Sequence, residues 1–439
     1  MSKEAIQSVM VRAASELDHQ PVKGGKMKQE TEVVVLKELL RQLDEGRNVD
    51  AGRRYRVPTD AYVNPELAER EWSSFFQSHP QFIGLSGDLA APGHYFTTDD
   101  FGTPVLATRD DEGRFRAFLN ACRHRGVRVA NEPRGESRRF MCPFHNWTYA
   151  NDGALVGVPR ERDFGPVDKS CMGLVELPAV EHNGMLWVHP QPHGELDAAA
   201  LLGDLDDELS SWNAGNYLYL GETLIEGDLN WKLANDTFGE TYHFQRLHKD
   251  TLGQIFHGDA LAYETFGRNH RFVFASRGIS ALRDLPESEW STDNAANVLY
   301  FLFPNIQFNI SRDTILAIKI YPKKGNPGRS LTRIGYYYSP AAAAAMEAAE
   351  ANGTRVVGAE DVYDVENRDG AAVFGLEASR EIFDSTIEQE DYAMGEKTQQ
   401  VAENGTLTHL IFGRNEPALH HYHNTFREAL NLPPLERLD

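Results

Sequence analysis

The hydrophobic and polar positions divide the chain into a helical start, a central stretch of short strands and a mixed remainder. Apolar spacing predicts an amphipathic helix at 35–47 and a second at 63–77, with Asn64 as its cap and Pro65 at its first position. Between about 80 and 195, Gly, Pro and Asp clusters separate short β-type runs, which predicts a small all-β domain. These runs are QFIGL, PVLAT, FRAFLN, RRFMC and NGMLWVHP.

Longer strands and helices mix from about residue 197 onward. The runs ANVLYFLFPNIQFNI, TILAIKIYP and SLTRIGYYYS predict three consecutive antiparallel strands. SPAAAAAMEAAEANG then predicts a helix with Ser339 as its N-cap, ended by Asn352 and Gly353. Residues 1–35 are polar and mixed, so we expect a mobile or partner-contacting arm there.

Charge and cysteine content narrow the class of protein. The 439 residues include 44 basic and 65 acidic ones, and the net charge of −21 argues against a nucleic-acid or anionic-membrane partner. We find no apolar run of about 18 residues, no apolar core of a secretory signal near the start, and too few cysteines for a disulfide framework. We therefore expect a cytoplasmic protein with reduced thiols.

One candidate metal site lies in the all-β region, in NACRHRG and MCPFHNW. The spacing is C-x-H, seventeen residues, then C-x-x-H, which involves Cys122, His124, Cys142 and His145. Zinc and a Rieske-type [2Fe–2S] cluster both take two cysteines and two histidines. Zinc fingers usually place both cysteines in one half, whereas each half here holds one cysteine and one histidine. The split therefore favours the cluster.

A second candidate metal site lies in NWKLANDTFGETYHFQRLHKD, with Glu240, His243 and His248. Glu240 and His243 share a helix face, but His243 and His248 are five residues apart, so the helix ends after His243 or contains a π-bulge. Two histidines and one carboxylate form the facial triad of a non-haem Fe(II) oxygenase. By pattern alone, the candidates for the third ligand are Glu388, Glu390, Asp391 and Glu396.

Together the two motifs resemble those of Rieske non-haem iron oxygenases, the large (alpha) subunits of the aromatic-ring-hydroxylating oxygenase family. The resemblance covers roughly residues 60–400. Besides the cluster residues, the matching positions are Asn230, Trp231, Lys232, Gly239, Tyr242, His243, His248, Glu390, Asp391, Glu396, Gln399 and Gln400. The resemblance selects Asp391 as the carboxylate ligand beside His243 and His248.

The resemblance implies an α+β fold and a division into domains. The small all-β Rieske [2Fe-2S] domain would span 81–196, and a larger helix-grip catalytic domain with a long antiparallel sheet would span 197–439. The N-terminal arm (1–35) and helices at 36–80, packed on the catalytic domain, would precede them. Each chain would hold one [2Fe-2S] cluster and one mononuclear non-haem Fe(II).

The implied activity is that of a terminal oxygenase, which uses O₂ to hydroxylate a small organic, aromatic substrate. A ferredoxin or flavin reductase would donate the electrons, which come indirectly from NAD(P)H. A monooxygenase or demethylase acting on a quaternary ammonium compound is the alternative. A Rieske electron-transfer protein and a zinc-stabilised binding protein are alternatives from other classes, which the length and the triad disfavour.

Glu240 stands where most ring dioxygenases of the family have Asp. In the family this carboxylate links a cluster histidine of one subunit to an iron-bound histidine of the next. The resemblance therefore implies an electron-transfer bridge from His145 through Glu240 of a neighbouring subunit to His243. It also implies a homotrimer, sometimes with a small beta subunit. Some members acting on quaternary ammonium substrates carry Glu at this position.

An arginine-rich stretch at 121–140 suggests a docking site for the electron donor. Its six arginines oppose two glutamates and include the candidates Arg125, Arg138 and Arg139. The alternative is that they pair with local acids or brace the cluster loops.

Several further positions have two interpretations. Asp236 either lies near the iron or caps a helix. Residues that either line a substrate pocket or belong to the core are Phe238, Leu247, Phe301, Phe303, Ile306 and Phe308. We expect His420, His421 and His423 on a surface helix or at a subunit contact, and Cys171 to be a buried or inert thiol.

Overall fold

The chain forms two compact units in the computed structural model, which describes residues 25–293, 295–351 and 376–439. The smaller unit comprises Glu71–Leu201 and Ala214–Leu218. The larger unit comprises the described residues up to Arg70, Leu202–Asn213, and the described residues within Tyr219–Asp439. Residues 1–24 of the predicted arm lie outside the described residues, as do Asn352 and Gly353 at the predicted helix end. The predicted domain limits, 81–196 and 197–439, remain predictions.

The smaller unit consists of three antiparallel sheets with short strands, as the turn-rich sequence predicts. The five-stranded sheet has the order Glu176–Leu177, Phe115–Leu119, Val105–Arg109, His94–Thr98 and Arg134–Glu136. Two three-stranded sheets have the orders Ala179–His182, Met185–Val188, Gln81–Leu85 and Arg139–Met141, Thr148–Ala150, Leu155–Gly157. The loops with the Cys and His motifs follow Phe115–Leu119 and connect Arg139–Met141 to Thr148–Ala150.

A seven-stranded antiparallel sheet forms the centre of the larger unit. Its order is Leu218–Gly227, Asn326–Tyr338, Thr314–Lys323, Ile306–Ile310, Ala296–Leu302, Asn269–Ser276 and Phe256–Phe266. A small sheet has the order His409–Phe412, Tyr55–Pro58, Glu436–Arg437. The α+β fold class is confirmed.

The prediction of a single strand in ANVLYFLFPNIQFNI was wrong. Two strands form instead, Ala296–Leu302 and Ile306–Ile310, and they pair with each other around Phe303–Asn305. Pro304 has no backbone N–H to donate to a neighbouring strand, which favours a turn at this point. The resulting hairpin brings Leu299 opposite Asn309.

Helices surround the sheet of the larger unit, and their caps follow the sequence. Within the described residues, the α-helices are Gln29–Glu45, Pro65–Glu71, Glu161–Phe164, Ala198–Leu202, Asp206–Ser211, Trp231–Asp236, Leu252–Ile255, Pro340–Ala351, Leu376–Ser385, Ala393–Asn404 and Pro417–Ala429. Two segments are π-helical, Trp72–Gln77 and Thr386–Tyr392. The Asn64 side chain accepts N–H bonds from Glu66 and Leu67, and Ser339 accepts one from Ala342, which confirms both predicted caps.

The first helix begins six residues before the predicted start, at Gln29, and packs on the outer strand of the large sheet. Gln42 exchanges two hydrogen bonds of 2.8 Å with the backbone of Leu261 in that strand. This contact pairs polar groups of an otherwise open sheet edge. Within the described ranges, no helix is both long and apolar enough to cross a membrane.

Candidate functional site

The two Cys–His loops of the smaller unit share one backbone conformation. The N–H of Cys122 donates to Val127 and its carbonyl accepts from Gly126, at 2.8 Å each. Cys142 forms the same two bonds, with Trp147 and Asn146, at 2.8 and 2.9 Å. Each loop turns at a residue with positive φ, 75° at Gly126 and 56° at Asn146, where Gly and Asn are favoured. The motif spacing does not reveal this internal repeat.

The four predicted cluster residues converge, with the thiols inside and the imidazoles nearer the surface. Cys122 and Cys142 are 4% and 2% exposed, and the rings of His124 and His145 are 4.6 Å apart. Burial and the Cys122 thiol raise the pKa of Cys142, and burial, with His145 nearby, lowers the pKa of His124. His124 Nδ1 is buried without a hydrogen-bond partner among the described residues. Two thiols and two imidazoles, one with such an unpaired nitrogen, fit a cluster that takes Cys on one iron and His on the other.

The surface around these loops is apolar and basic. Met141, Phe144 and Phe164 are 58%, 52% and 51% exposed, and the Arg125 guanidinium lies 5.1 Å from the Phe144 ring centre. Three other arginines of the stretch lie beside carboxylates, in the pairs Arg128–Asp99, Arg134–Asp88 and Arg138–Asp111. The alternative of local pairing therefore holds for those three, whereas no described carboxylate pairs with Arg125 or the exposed Arg139.

The second predicted site, in the larger unit, brings three potential metal ligands together. His243, His248 and Asp391 each direct one ligand atom to a common point, and these atoms lie within 4.8 Å of one another. His248 Nε2 is 3.1 Å from both His243 Nε2 and Asp391 Oδ1, and His243 Nε2 is 3.3 Å from Asp391 Oδ1. Of the four carboxylates in competition, the structure brings Asp391 to this point.

Two further carboxylates bond the histidine rings at Nδ1, on the side away from the three converging ligand atoms. Glu240 bonds His243 Nδ1, and Glu390 bonds His248 Nδ1 and accepts the hydroxyl of Thr251 at 2.9 Å. Since each Nδ1 proton is donated to a carboxylate, the Nε2 atoms of both rings face Asp391. Once the Nε2 atoms carry no proton, two nitrogen lone pairs and a carboxylate oxygen converge there, which fits a divalent metal ion such as Fe(II). Sequence reasoning missed the role of Glu390, because its place beside Asp391 made it look like a competing ligand.

The local structure that produces this geometry differs from the predicted helix. The helix Trp231–Asp236 ends before Glu240, and successive turns carry His243 and His248. Glu240 accepts the backbone N–H of His243 at 3.2 Å, so it stabilises the turn as well as the ring. The π-helical segment occurs instead at Thr386–Tyr392, which contains both Glu390 and Asp391.

Electrostatics at the triad favour a bound cation. Burial lowers the pKa of His243, but hydrogen bonds to Asp391 and Glu240 outweigh burial and raise that pKa to about 10. Burial opposes ionisation of Asp391, yet its bonds to His243 and His248 hold its pKa below the ordinary value. Without metal the site therefore holds a proton, and a metal ion replaces that proton on binding.

A cavity of about 220 Å³ adjoins the triad and is mainly apolar. One wall of the cavity is formed by three neighbouring strands of the large sheet. Between the first two strands, Phe274 pairs with Asn297 and Phe272 pairs with Leu299. Leu299 also pairs with Asn309 of the third strand. Because side chains alternate along a strand, these five point to one face of the sheet. Its other described lining residues are Thr237, Phe238, Glu240, His243, Phe244, His248, Leu252, Phe256, Phe383, Thr386, Ile387 and Asp391.

Of the predicted pocket residues, Phe238 lines this cavity, and Leu247 lines a second, more open one. Assigning Phe301, Phe303 and Phe308 to the pocket was wrong. Phe308 precedes Asn309 and therefore points to the opposite face of the sheet. Phe301 and Phe303 pack around Phe426 in the core. Ile306 is also fully buried and lines neither cavity.

The second cavity also contacts Glu240, His243 and Asp391, so the triad lies between the two. Asp236 faces this second cavity and bonds His423 Nε2 at 2.9 Å and the Tyr62 hydroxyl at 3.1 Å. It therefore does not cap the helix. His420, His421 and His423 were expected on a surface helix or at a subunit contact. The surface position is wrong for His420 and His423, which are 7% and 3% exposed.

Cys171 also departs from expectation. Of the two alternatives, a buried thiol was wrong, because Cys171 is exposed with its Sγ 3.3 Å from the Asp168 carbonyl, and an inert thiol stays a prediction. Its loop position places it outside the strands that form the core of the smaller unit.

Comparison with known families identifies both units. Residues 79–176 match the Rieske [2Fe-2S] domain, and residues 214–431 match the catalytic domain of the ring hydroxylating alpha subunit. The chain therefore belongs to the family of ring-hydroxylating oxygenase alpha subunits. The two matches, together with the four Cys and His residues and the triad described above, establish a Rieske [2Fe-2S] domain followed by a catalytic domain of the mononuclear-iron type.

Individual relatives include both aromatic-ring dioxygenases and quaternary ammonium monooxygenases. The oxygenase subunit of glycine betaine monooxygenase from Chromohalobacter salexigens is 31% identical over 198 residues, 44% of this chain and 43% of the relative. The large subunit of anthranilate 1,2-dioxygenase from Acinetobacter baylyi is 28% identical over 44% of this chain and 42% of its own length. Each match thus spans less than half of the relative.

Solved structures share the fold across most of the chain. A quaternary ammonium Rieske monooxygenase superposes with a TM-score of 0.66 at 18% identity, covering 85% of this chain and 94% of that one. Naphthalene 1,2-dioxygenase from a Rhodococcus species superposes with a TM-score of 0.62 at 19% identity, covering 91% and 98%. At these identities the likeness establishes the fold.

Proposed function

We propose that this protein is a terminal oxygenase that hydroxylates a small organic, aromatic substrate with O₂. The observation that carries the proposal is the convergence of His243 Nε2, His248 Nε2 and Asp391 Oδ1 beside an apolar cavity. Three protein ligands on one side leave positions for O₂ on the other. The Rieske domain in the same chain accounts for the supply of electrons.

The protein's own groups prepare this reaction by position. When bound, the two metal groups supply one-electron transfer and O₂ activation; His243, His248 and Asp391 hold the iron, and Cys122, Cys142, His124 and His145 hold the cluster. Glu240 and Glu390 fix the orientation and proton position of the two iron-site histidines. The phenylalanine-rich cavity, which includes Phe238, excludes water and keeps the substrate next to the triad. Asp236, held by His423 and Tyr62, lies beside the second cavity.

Glu240 also suits the role of an intersubunit bridge. Its carboxylate already holds His243 on one side and lines the more open second cavity. His145 is exposed on its loop, next to the exposed Phe144. We propose that Glu240 also bonds His145 of the partner subunit, so that a carboxylate joins the two metal sites across a homotrimer interface.

The remaining proposals concern partners and location. A ferredoxin or flavin reductase, driven by NAD(P)H, would dock near Arg125 and Arg139, because an acidic donor is attracted by unpaired positive charge beside exposed aromatic rings. A small beta subunit would be compatible with the trimer. All three cysteines are free thiols, in keeping with a cytoplasmic protein.

A monooxygenase or demethylase acting on a quaternary ammonium compound is the second candidate. Six phenylalanine side chains line the cavity, and aromatic faces bind such cations. The likeness to glycine betaine monooxygenase and to the quaternary ammonium monooxygenase supports the same candidate.

Product analysis under ¹⁸O₂ tests the proposal and separates the candidates. Chemically reduced protein with both metals is mixed with neutral arenes, aromatic acids and methylammonium compounds. Labelled oxygen in an aromatic product supports the main proposal, with two atoms indicating dioxygenation and one monooxygenation. Loss of a methyl group from the ammonium compounds supports the second candidate. An intact metal content with no labelled product from any class contradicts both.

A further inference from the structure

The cavity beside the iron triad contains two polar atoms that lack partners. Asn297 Nδ2 and Thr386 Oγ1 are both buried and have no hydrogen-bond partner among the described residues, although both residues line the cavity. The Thr386 residue is only 4% exposed. Buried donors without an acceptor destabilise a protein, so native structures rarely retain them unless a bound molecule satisfies them.

These two residues come from different walls of the cavity. Asn297 lies on the strand Ala296–Leu302, next to Phe274 of the adjacent strand. Thr386 is the first residue of the π-helix that also contains Asp391, and Thr386 precedes Asp391 by five residues. A π-helix pairs positions i and i+5, so Thr386 and Asp391 lie on one side of that helix. A molecule next to the iron ligands therefore meets a hydroxyl from the helix and an amide from the sheet.

The rest of the cavity is suited to an aromatic ring. Phe274 packs edge-to-face against Phe244 and Phe256, with ring centres 5.4 and 5.0 Å apart. Since a cavity of about 150 Å³ accepts benzene, the 220 Å³ here has room for a substituted ring or two small fused rings.

The charge of the cavity favours a neutral molecule. Among the described lining residues there is no Lys or Arg, and the carboxylates are the metal-site groups Glu240 and Asp391. Away from the metal site, a substrate carboxylate would enter this space without a Lys or Arg partner among the described lining residues, which is unfavourable in an apolar environment. Benzoate-type acids and betaines both carry such a carboxylate.

We propose that the substrate is an uncharged aromatic molecule with an oxygen acceptor, such as a ketone or nitro group, which accepts hydrogen bonds from Asn297 Nδ2 and Thr386 Oγ1. This assignment rests on the proposed oxygenase function, because it names the substrate class of the same site. Asn297 and Thr386 are then the residues that determine specificity, and the phenylalanine walls supply affinity without selecting the acceptor.

Calorimetric binding of indanone and indane to the full-length, metal-loaded, oxidised protein tests the assignment. The two probes differ only in a carbonyl group. We expect indanone to bind about five- to thirtyfold more tightly, the ratio given by one or two net hydrogen bonds. Asn297→Leu and Thr386→Val should each reduce that ratio towards one and leave indane affinity nearly unchanged. Iron content and the cluster spectrum verify that each variant is folded.

Two variants serve as matched controls. Thr237→Val changes a residue of the same cavity whose hydroxyl already donates to the Ala234 carbonyl at 2.9 Å, so the ratio should persist. Thr386→Ser retains the hydroxyl and should also keep the ratio. A merely structural effect of position 386 would disturb both probes equally.

The assignment is overturned if wild-type protein binds both probes equally or neither at millimolar concentration. It is also overturned if the preference survives both Asn297→Leu and Thr386→Val, or if benzoate or glycine betaine binds more tightly than indanone. Reaction of bound indanone under ¹⁸O₂ distinguishes a failure of this substrate assignment from a failure of the proposed oxygenase function. Selective binding without labelled product supports the assignment, and it contradicts the oxygenase function only if the other substrate classes also give no labelled product. Labelled product without selective binding contradicts only the role of the two side chains.

Discussion

Glu390 determines which nitrogen of His248 faces the metal site. Its carboxylate accepts the Nδ1 proton and is itself held by Thr251. We expect Glu390→Gln to reduce iron affinity about ten- to hundredfold, as is typical when the partner of a metal-binding histidine is changed. Iron titration with a competing chelator measures the effect.

Glu388→Gln is the matched control, since Glu388 lies two residues earlier on the same π-helix and is exposed. It should retain the iron affinity of the wild-type protein. Equal affinities for both variants would show that Glu390 does not hold the ring.

Glu416 connects the charge around the iron site to the stability of the larger unit. Burial, with repulsion from Glu240 and Asp236, raises its pKa to about 7 from the ordinary 4.5. Below pH 4.5 the carboxyl is protonated in both the folded and the unfolded chain. As pH rises towards 7, the unfolded chain releases this proton first, so the folded state loses stability, and the loss is complete above about pH 7.

Glu416→Gln should therefore stabilise the protein at pH 8 more than at pH 5, by about 2 kcal/mol from the size of the pKa change. The amide oxygen can still accept the Gly413 N–H that the carboxylate accepts now. Thermal unfolding at the two pH values measures the difference in Tm, with Glu69→Gln as an exposed control. A stabilisation independent of pH would contradict the raised pKa.

At the scale of secondary-structure elements, the π-helix Thr386–Tyr392 sets the direction of Asp391. Its wider turn holds one residue more than an α-helical turn, and Leu376–Ser385 and Ala393–Asn404 continue as α-helix on either side. Deleting the exposed Gln389 should convert the segment to α-helix and rotate Asp391 relative to its neighbours. We expect loss of iron and retention of the cluster.

Gln389→Ala, which keeps the length, should retain both metals. Iron analysis together with the visible spectrum of the cluster distinguishes the two results. Full iron content in the deletion variant would mean that the π-helix is not needed to position the carboxylate.

At the scale of the whole molecule, the proposed bridge requires a cluster and an iron from different chains. One chain with Cys142→Ser lacks a cluster ligand, and another with Asp391→Ala lacks an iron ligand. In mixed homotrimers with random composition, about a quarter of the directional contacts join an intact cluster to an intact iron site. Co-expression should therefore restore about a quarter of the activity, although each variant alone is inactive.

Co-expression of Cys142→Ser with His145→Ala is the control, because neither chain then supplies a cluster, and no activity should return. Substrate-dependent O₂ consumption by the purified mixtures is the measurement. Absence of activity in the first mixture, with both metals present and trimers formed, would contradict transfer between subunits.

The features that could be predicted from the sequence are those formed by residues close together in the chain. Caps at Asn64 and Ser339 follow from hydrogen bonds within one turn, and the short strands follow from alternation between turn residues. The spacing of the motifs identified the four cluster residues and the two histidines of the iron site, and the family resemblance added Asp391. Phe308 was misassigned because adjacent positions in a strand face opposite sides, and the strand limits around Pro304 were not known.

The sequence by itself determined the two kinds of metal chemistry, since ligand type and local spacing are properties of short segments. The residues alone left four carboxylates open and the family resemblance selected Asp391, whereas tertiary structure decided that Glu390 holds His248 Nδ1. The reason is that 143 positions of chain and a π-helix separate Asp391 from His248. Tertiary structure also decided which phenylalanines surround the cavity and which side chains lack partners there. Those contacts depend on strand register and on packing between distant elements, and both are set by the folded chain as a whole.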